Sequence, residues 1–406
     1  MTPNGWEVKT LGSLTDKIGS GKTPKGGSST YKSYGIPLIR SQNVLWGSLD
    51  LSDVAYIDEE QHSSMKNSSV IESDVLLNIT GASIGRVAMS TLKEANVNQH
   101  VCIIRPKKDL DNKFLQYNLL SFEGQKQIER FQAGGNRQGL NFEQIKSFKI
   151  MLPPLPEQQK IAKILTTWDN AIDTTERLID NSKQQKKALM QQLLTGKKRL
   201  LDGNGKPFEG EWENLKLSDL YSFKRGKGIS KGQITDSGNK CVLYGELYTY
   251  YGEVIRDVKS RTLETNSIKS KQGDVLIPAS TTTTGIDLAN ATAVLEDDIL
   301  LGGDINILRP KKSINPIFMA HLLTHFKKHE IARKAQGITI IHVYGRDLAN
   351  IAVQIPSSLE EQQKIVAVLT NADKEIELLE QQLADLQQEK KALMQVLLTG
   401  KVRVGV

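Results

Sequence analysis

Residues 157–199 and 361–403 are one segment written twice. Each copy opens on Glu-Gln-Gln-Lys-Ile, at Glu157–Ile161 and Glu361–Ile365. Each closes on Lys-Lys-Ala-Leu-Met-Gln, one variable residue, then Leu-Leu-Thr-Gly-Lys, ending at Lys197 and Lys401. Leu189 and Leu393 stand 204 positions apart in a chain of 406. A period that long means two whole domains in tandem and excludes a solenoid of short repeats. It also suggests a ligand with two halves. The duplication extends beyond these segments. Trp6-Glu7 answers Trp212-Glu213, Asp74–Leu77 answers Asp274–Ile277, Ile104–Lys108 answers Leu308–Lys312, and Leu152-Pro153 answers Ile355-Pro356. Between these framework positions the copies differ almost freely, the pattern of one scaffold carrying two different recognition surfaces.

The order is globular, helical, globular, helical, with expected boundaries at 1–152, 153–200, 201–355 and 356–406. In the second helical segment Ile365, Ala372, Leu379, Leu386 and Leu393 recur every seven residues, and Leu369, Ile376, Leu383, Lys390 and Leu397 follow four residues behind. Two such tracks describe a coiled-coil seam. The first copy keeps Ile161, Trp168 and Leu189 on one track and Leu165, Ile172, Ile179 and Leu193 on the other, and Thr175 and Ser182 interrupt it. Ser358 with Glu361 reads as a capping box, Pro156 suits a first helical turn, and Gly196 and Gly400 sit where left-handed C-terminal caps belong. Lys186 and Lys390 take equivalent places on the seam. Each either snorkels its ammonium to solvent or marks register and partner choice. Helices this long exceed what domains of this size can cover, so an antiparallel pairing as a spacer is expected.

The globular parts are expected to be α+β and strand-rich. Runs such as Ile36–Ile39 and Val101–Ile104 are bounded by Gly, Asn, Ser and Pro, as strands are. One helix is expected in each, near 112–130 and 316–334. The net charge of +7 and the pI near 9.0 favour a polyanionic partner. Two cysteines, Cys102 and Cys241, allow neither a disulfide framework nor zinc-finger spacing. The opening Met-Thr-Pro-Asn-Gly-Trp has no signal character, and no long apolar run spans a bilayer. A reducing cytoplasm is the expected setting.

The run Pro153-Pro154-Leu155-Pro156-Glu157-Gln158-Gln159-Lys160-Ile161 entering a long helix, with Leu-Leu-Thr-Gly-Lys at its end, resembles the specificity subunit of type I restriction-modification systems. The likeness covers essentially the whole chain, although the second copy has Ser357-Ser358-Leu359 in place of the proline-rich entry. The resemblance implies two target recognition domains, each reading half of a split double-stranded DNA sequence. It implies two conserved helices in an antiparallel coiled coil that sets the gap. Two modification (methyltransferase) subunits are expected to dock on those helices and methylate adenine at N6. Restriction subunits, ATP-dependent translocases and nucleases, are expected to join them. S-adenosylmethionine, ATP and Mg would belong to those partners, and this chain would catalyse nothing and hold no cofactor.

The residues agree with that expectation. No Asn/Asp-Pro-Pro-aromatic methyltransferase signature is present, because Pro153-Pro154 lies between Leu152 and Leu155. Gly19-Ser20-Gly21-Lys22-Thr23 resembles the end of a P-loop but has Asp16 where the pattern requires glycine. A flexible basic loop near phosphates is expected there instead. His321, His325 and His329 would stack on one helical face, where a solvated or phosphate-facing stripe is expected and a metal is not. Base readers should lie in loops that differ between copies. In the first domain these give Arg40, Gln42 and Asn43, then Asn136, Arg137, Gln138 and Asn141, with Ser83, Arg86, Asn98 and His100 weaker and Lys22 and Lys25 supplying charge. In the second they give Tyr244, Glu246, Tyr248, Thr282, Thr283, Thr284, Asp304, Asn306, Thr339, His342, Tyr344 and Arg346, with Lys227 and Lys231 as the basic pair. Any one of them can instead be a turn residue. Other readings stand beside this one: a free-standing DNA-binding regulator that dimerises through its coiled coil, a protein–protein scaffold with no nucleic-acid role, against which the basic balance argues, and, as a variant of the specificity-subunit reading, the specificity partner of a fused restriction-methylation enzyme.

Overall fold

The computed structural model describes residues 2–132 and 139–405. The chain forms two compact units, Met1–Arg177 with Glu380–Val406, and Leu178–Leu379. Each unit contains one strand-rich lobe, one part of the first long helix and one part of the second.

In the first unit an antiparallel sheet runs Thr15–Ser20, Val101–Pro106, Val75–Asn78, Val87–Met89. A second sheet runs Ala55–Ile57, Ile36–Ile39, Ala95–Val97, Ser69–Val70, with its middle pair parallel. The central strands bury both faces. Leu76, Val101 and Ile103 pack with Ile39, Val70 and Val97 of the second sheet. Val75, Leu77, Cys102 and Ile104 face the opposite way, into a cluster that holds Phe114, Leu115, Ile161, Leu165 and Leu397. A strand covered on both sides loses alternation and reads as an unbroken apolar run, which is what Val75-Leu76-Leu77 is.

The second unit repeats this plan. Its antiparallel sheet runs Tyr221–Arg225, Ile305–Pro310, Val275–Pro278, Thr292–Ala293, and a five-stranded sheet lies beyond it. Leu276, Ile305 and Ile307 face Val242 and Leu301, whereas Val275, Ile277 and Leu308 share a cluster with Phe318, Leu323, Ile365 and Leu369. In both units a two-stranded ribbon, Glu7–Thr10 with Lys149–Leu152 and Glu213–Lys216 with Ala352–Ile355, joins the start of the lobe to the entry of a long helix.

Two of the repeated framework residues form the same ion pair in each copy. Arg105 donates from Nε and Nη2 to Asp74 at 2.8 and 2.7 Å, and Arg309 donates to Asp274 at 2.9 and 2.7 Å. Both aspartates are buried, and each also accepts a backbone N–H, from Ile71 and Lys271. Bidentate pairing holds both guanidinium pKa values above the ordinary arginine range.

The single lobe helix expected near 112–130 is two, Asn112–Leu120 and Phe122–Arg130. Ser121 breaks it: its extended backbone cannot continue the first helix, and its hydroxyl caps the second by accepting from Gly124 N. The expected 316–334 helix likewise divides into Pro316–Phe326 and Lys328–Lys334.

The long helices span Leu155–Leu193 and Leu359–Leu397, 39 residues each, or roughly 58 Å at the α-helical rise. Gly196 and Gly400 follow them at φ 68° and 67°, the left-handed caps that the sequence places there. Ser358 accepts from Glu361 N, but the expected capping box is only half formed because the Glu361 carboxylate turns to Arg199. On the seam Ile161, Leu165, Ile179, Leu193, Ile365, Leu369 and Leu397 are buried. Trp168, Ile172, Leu189, Ile376, Leu379, Leu383, Leu386 and Leu393 are half-buried. Thr175 and Ser182 do not interrupt the seam; they are buried in it, with Thr175 donating to Ala171 O and Ser182 to Glu375.

Within each unit the start of one long helix meets the end of the other, so the pairing is antiparallel. In the first unit Glu157 accepts from Arg403 at 2.6 and 2.7 Å and from Trp6 Nε1 at 3.1 Å. In the second, Glu361 accepts from Arg199 at 2.5 and 2.8 Å. Gln158 and Gln362, the next residues, are buried and accept from Asp111 N and Asn315 N, at the helix starts of the two lobes. The repeated Glu-Gln-Gln motif is thus the joint between helix and lobe. Further along, Lys390 pairs with Asp169 in the first unit and Lys186 with Asp373 in the second. Both lysines therefore bridge the helices instead of snorkelling to water. Among the described residues no helix is long and apolar enough to cross a membrane.

Candidate nucleic-acid interface

Gly21 explains the false P-loop, and Gly226 takes its place in the second lobe. A Cβ on Gly21 would lie 1.5 Å from Val97 O, and one on Gly226 would lie 2.0 Å from Gly302 O. The glycines are needed because each basic loop lies directly against its own lobe's backbone. That contact brings Lys22 and Lys25, both exposed, beside the 98–100 loop, where Thr23 hydrogen-bonds Gln99. His100 sits against Thr80 and Gln99, and Asn98 accepts from His100 N. Thr80 bridges to Gly139, and the turn holding Ser83 and Arg86 follows directly. One patch of the first lobe therefore gathers Lys22, Lys25, Ser83, Arg86, Asn98 and His100.

The 40–53 turn reaches this patch through Asn78, which donates to Ser41 O. Its side chains are largely committed. Arg40 donates to the Asp53 carbonyl at 2.6 Å and to its carboxylate at 3.4 Å, Gln42 donates to the same carboxylate, and Arg40 also lies over the Tyr31 ring. Asn43 is a correction: it is buried, accepting from Arg40 N and donating to Asp50 O, so it builds the turn and faces no ligand. Asn141 caps the helix Phe142–Lys146 with its side chain. Asn136, Arg137 and Gln138 lie outside the described residues.

The second lobe assembles a denser group. Lys227, exposed, packs its backbone on Leu301, and Gly303 N donates to Gly228 O. Arg225 pairs with Asp304, whose φ of 58° turns the chain back on itself. Arg225 lies 5.8 Å and Arg346 5.2 Å from the centroid of the Tyr344 ring, and His342 stacks on the same ring at 6.1 Å. Strand Ile341–His342 pairs with Ser280–Thr281, which places Thr282, Thr283 and Thr284 at the edge of the group. Thr283 and Thr284 are tied to Asp287. Tyr248 joins through a hydrogen bond with Thr281, and its ring lies 6.3 Å from Tyr244. Thr339 and Lys231 are exposed at the periphery.

Two residues expected to read bases here are internal. Asn306 is buried and donates to Val343 O. Glu246 accepts from Leu243 N and Ser260 and closes its own turn. Arg225 was not among the expected base readers, although it stands two residues before Lys227; only the fold places it over Tyr344. The histidine stripe is also corrected. His321 is 2% exposed, and Glu253 hydrogen-bonds His325 at 2.6 Å. Burial holds the His321 pKa down to about 4.

The Type I restriction modification DNA specificity domain matches residues 3–183 and again 209–388. This chain belongs to that family. The MjaVIII type I restriction enzyme specificity subunit of Methanocaldococcus jannaschii is 24% identical over 99% of this chain and 94% of its own. A solved chain of a type I R-M system superposes with a TM-score of 0.60 at 17% identity, covering 99% of this chain and all of its own. The HsdS subunit of Thermoanaerobacter tengcongensis gives 0.54 at 17% identity, over 98% of both chains. At that identity these structures establish the fold. The two family matches coincide with the two repeats, and the ion pairs Asp74–Arg105 and Asp274–Arg309 fall one in each. In this specificity subunit the loops described above are where the two copies of the family domain part company.

Proposed function

We propose that this chain is the non-catalytic specificity subunit of a type I restriction-modification complex and that it reads a bipartite double-stranded DNA site, one half with each lobe. The observation that carries the reading is the contrast between a duplicated interior and unlike loops. The two lobes share the same buried Asp–Arg pair, glutamine joint and glycine contact. They then offer different side chains from corresponding places: Ser20 and Arg225 just before the glycine contact, His100 and Asp304, whose carbonyls accept from Ile79 N and Ala279 N, and Asn141 and Tyr344, each ahead of a short helix. Lysines and arginines at the loop edges would neutralise phosphates, giving affinity that falls steeply with salt. Arginine, asparagine and the tyrosine rings would select bases.

The long helices would set the gap between half-sites and seat two methyltransferase subunits. S-adenosylmethionine, ATP and Mg would be bound by the methyltransferase and restriction subunits. The target adenine would be flipped out of the duplex into a methyltransferase pocket. The test is to exchange residues 1–152 for the corresponding domain of another specificity subunit, express it with its methyltransferase, and sequence the methylome. One half of the methylated sequence should change while the other half and the gap stay. Methylation at an unaltered sequence, or methyl transfer by the purified chain alone, would reject the proposal.

A further inference from the structure

Three metal-ligating side chains converge in the second unit, one from the loop that follows Tyr248 and two from a lobe helix. Helix Pro316–Phe326 presents His321 and His325 one turn apart, with rings stacked at 5.9 Å. Glu253 reaches both: its Oε1 lies 2.6 Å from His325 Nε2 and 3.9 Å from His321 Nδ1. One donor atom from each of the three falls within 4.8 Å of the other two. His321 is buried, and its Nδ1 has no hydrogen-bond partner. A buried ring nitrogen left without a partner is costly and is rarely left so without a ligand.

We infer that Glu253, His321 and His325 form a binding site for one transition-metal dication of the zinc class. Two imidazoles and one carboxylate are a zinc-type donor set with a fourth position open to water. Calcium and magnesium prefer oxygen ligands, and only one side chain here supplies them. Metal–ligand bonds of about 2.0–2.2 Å place tetrahedral donors roughly 3.3 Å apart. Glu253 and His325 would separate slightly on binding, and His321 would close in. The nearest charges are Lys186 and Asp373 on the long helices, which are paired with each other, so the lysine does not bar a cation.

Among the described residues the site occurs once. The first lobe has Tyr117, Ser121 and Gln125 at the corresponding positions, where Tyr117 donates to Asp169 and Gln125 to Gly85 O. Bound metal would tie the 250–253 loop to the lobe helix, and through Glu253 O, which accepts from Ala293 N, to the edge strand Thr292–Ala293.

The test uses the full chain stripped with a chelator and titrated with Zn²⁺ by calorimetry and with Co²⁺ by visible absorption. One equivalent should bind, with the absorption of four-coordinate cobalt. Glu253→Gln and His325→Asn should each weaken Zn²⁺ binding by at least the roughly 10–100-fold typical of losing an outer-shell partner. His329→Asn, at an exposed neighbouring position, should bind like the parent. Circular dichroism of each metal-free variant separates lost binding from lost folding, and His321→Tyr, which borrows the first lobe's residue, gives a third ligand deletion. The inference is overturned if the parent binds no stoichiometric Zn²⁺, if the folded ligand variants bind it as tightly as the parent, or if His329→Asn weakens binding as much as they do.

Discussion

Asp274 has no exposed side-chain surface, yet it carries a charge that Arg309 and Lys271 N neutralise. Removing one partner of such a pair strands the other in the interior. Asp274→Asn is therefore expected to lower unfolding stability by about 3 kcal/mol, read as a shift of the urea midpoint without a change of slope. Asp74→Asn should act alike in the first lobe. Tyr344 makes the opposite kind of contribution. It is half-buried, belongs to none of the core clusters and lies within 6 Å of two guanidinium groups, so Tyr344→Ala should leave the thermal midpoint nearly unchanged. It should weaken binding to one half-site by about 1–3 kcal/mol, the usual worth of a stacked base, measured by fluorescence anisotropy with the methyltransferase present. The sequence made both residues visible, but for different reasons. Asp274 stood out because its neighbours repeat, whereas Tyr344 was one polar loop residue among many. Asn43, Glu246 and Asn306 looked the same on paper and proved to be internal hydrogen-bonding groups. A loop side chain's role depends on which backbone groups lie within its reach, and a sequence does not list them.

The long helices were the most legible elements because their signal is periodic and doubly written. Start, stop, length and seam all follow from 3.6-residue geometry and from glycine's freedom at positive φ. Their polar positions were less legible. Lys186 and Lys390 lie across from Asp373 and Asp169, which are equivalent residues of the opposite helices, so one repeat supplies both halves of two crossed pairs. Lys186→Glu should destabilise helix pairing in the second unit, and adding Asp373→Lys should restore most of the loss. A double-mutant cycle on thermal unfolding would check this. Strictly additive effects would mean that the pair sets no register. The lobe helices were misjudged because Ser121 and Lys327 fit helical composition. What breaks them is the local backbone turn, with Ser121 capping the second helix of its pair.

For the molecule as a unit, the proposal that the helices set a gap gives its own prediction. Inserting seven residues after Asp180, keeping the heptad phase, with a matching insertion after Leu383, should lengthen the spacer between methylated half-sites and leave both half-sites unchanged. Methylome sequencing would read it, and a changed half-site with an unchanged spacer would sink the idea. By itself the sequence determined the duplication, the helical segments and their antiparallel seam, because these rest on regularities local to the chain: period, cap and identity between copies. The tertiary structure alone decided which loop residues lie side by side, why Gly21 and Gly226 are glycines, and that Glu253 meets His321 and His325 across 68 and 72 positions of chain. Contacts of that kind depend on sheets and helices folding back on one another, and residue spacing carries no record of where a distant segment returns.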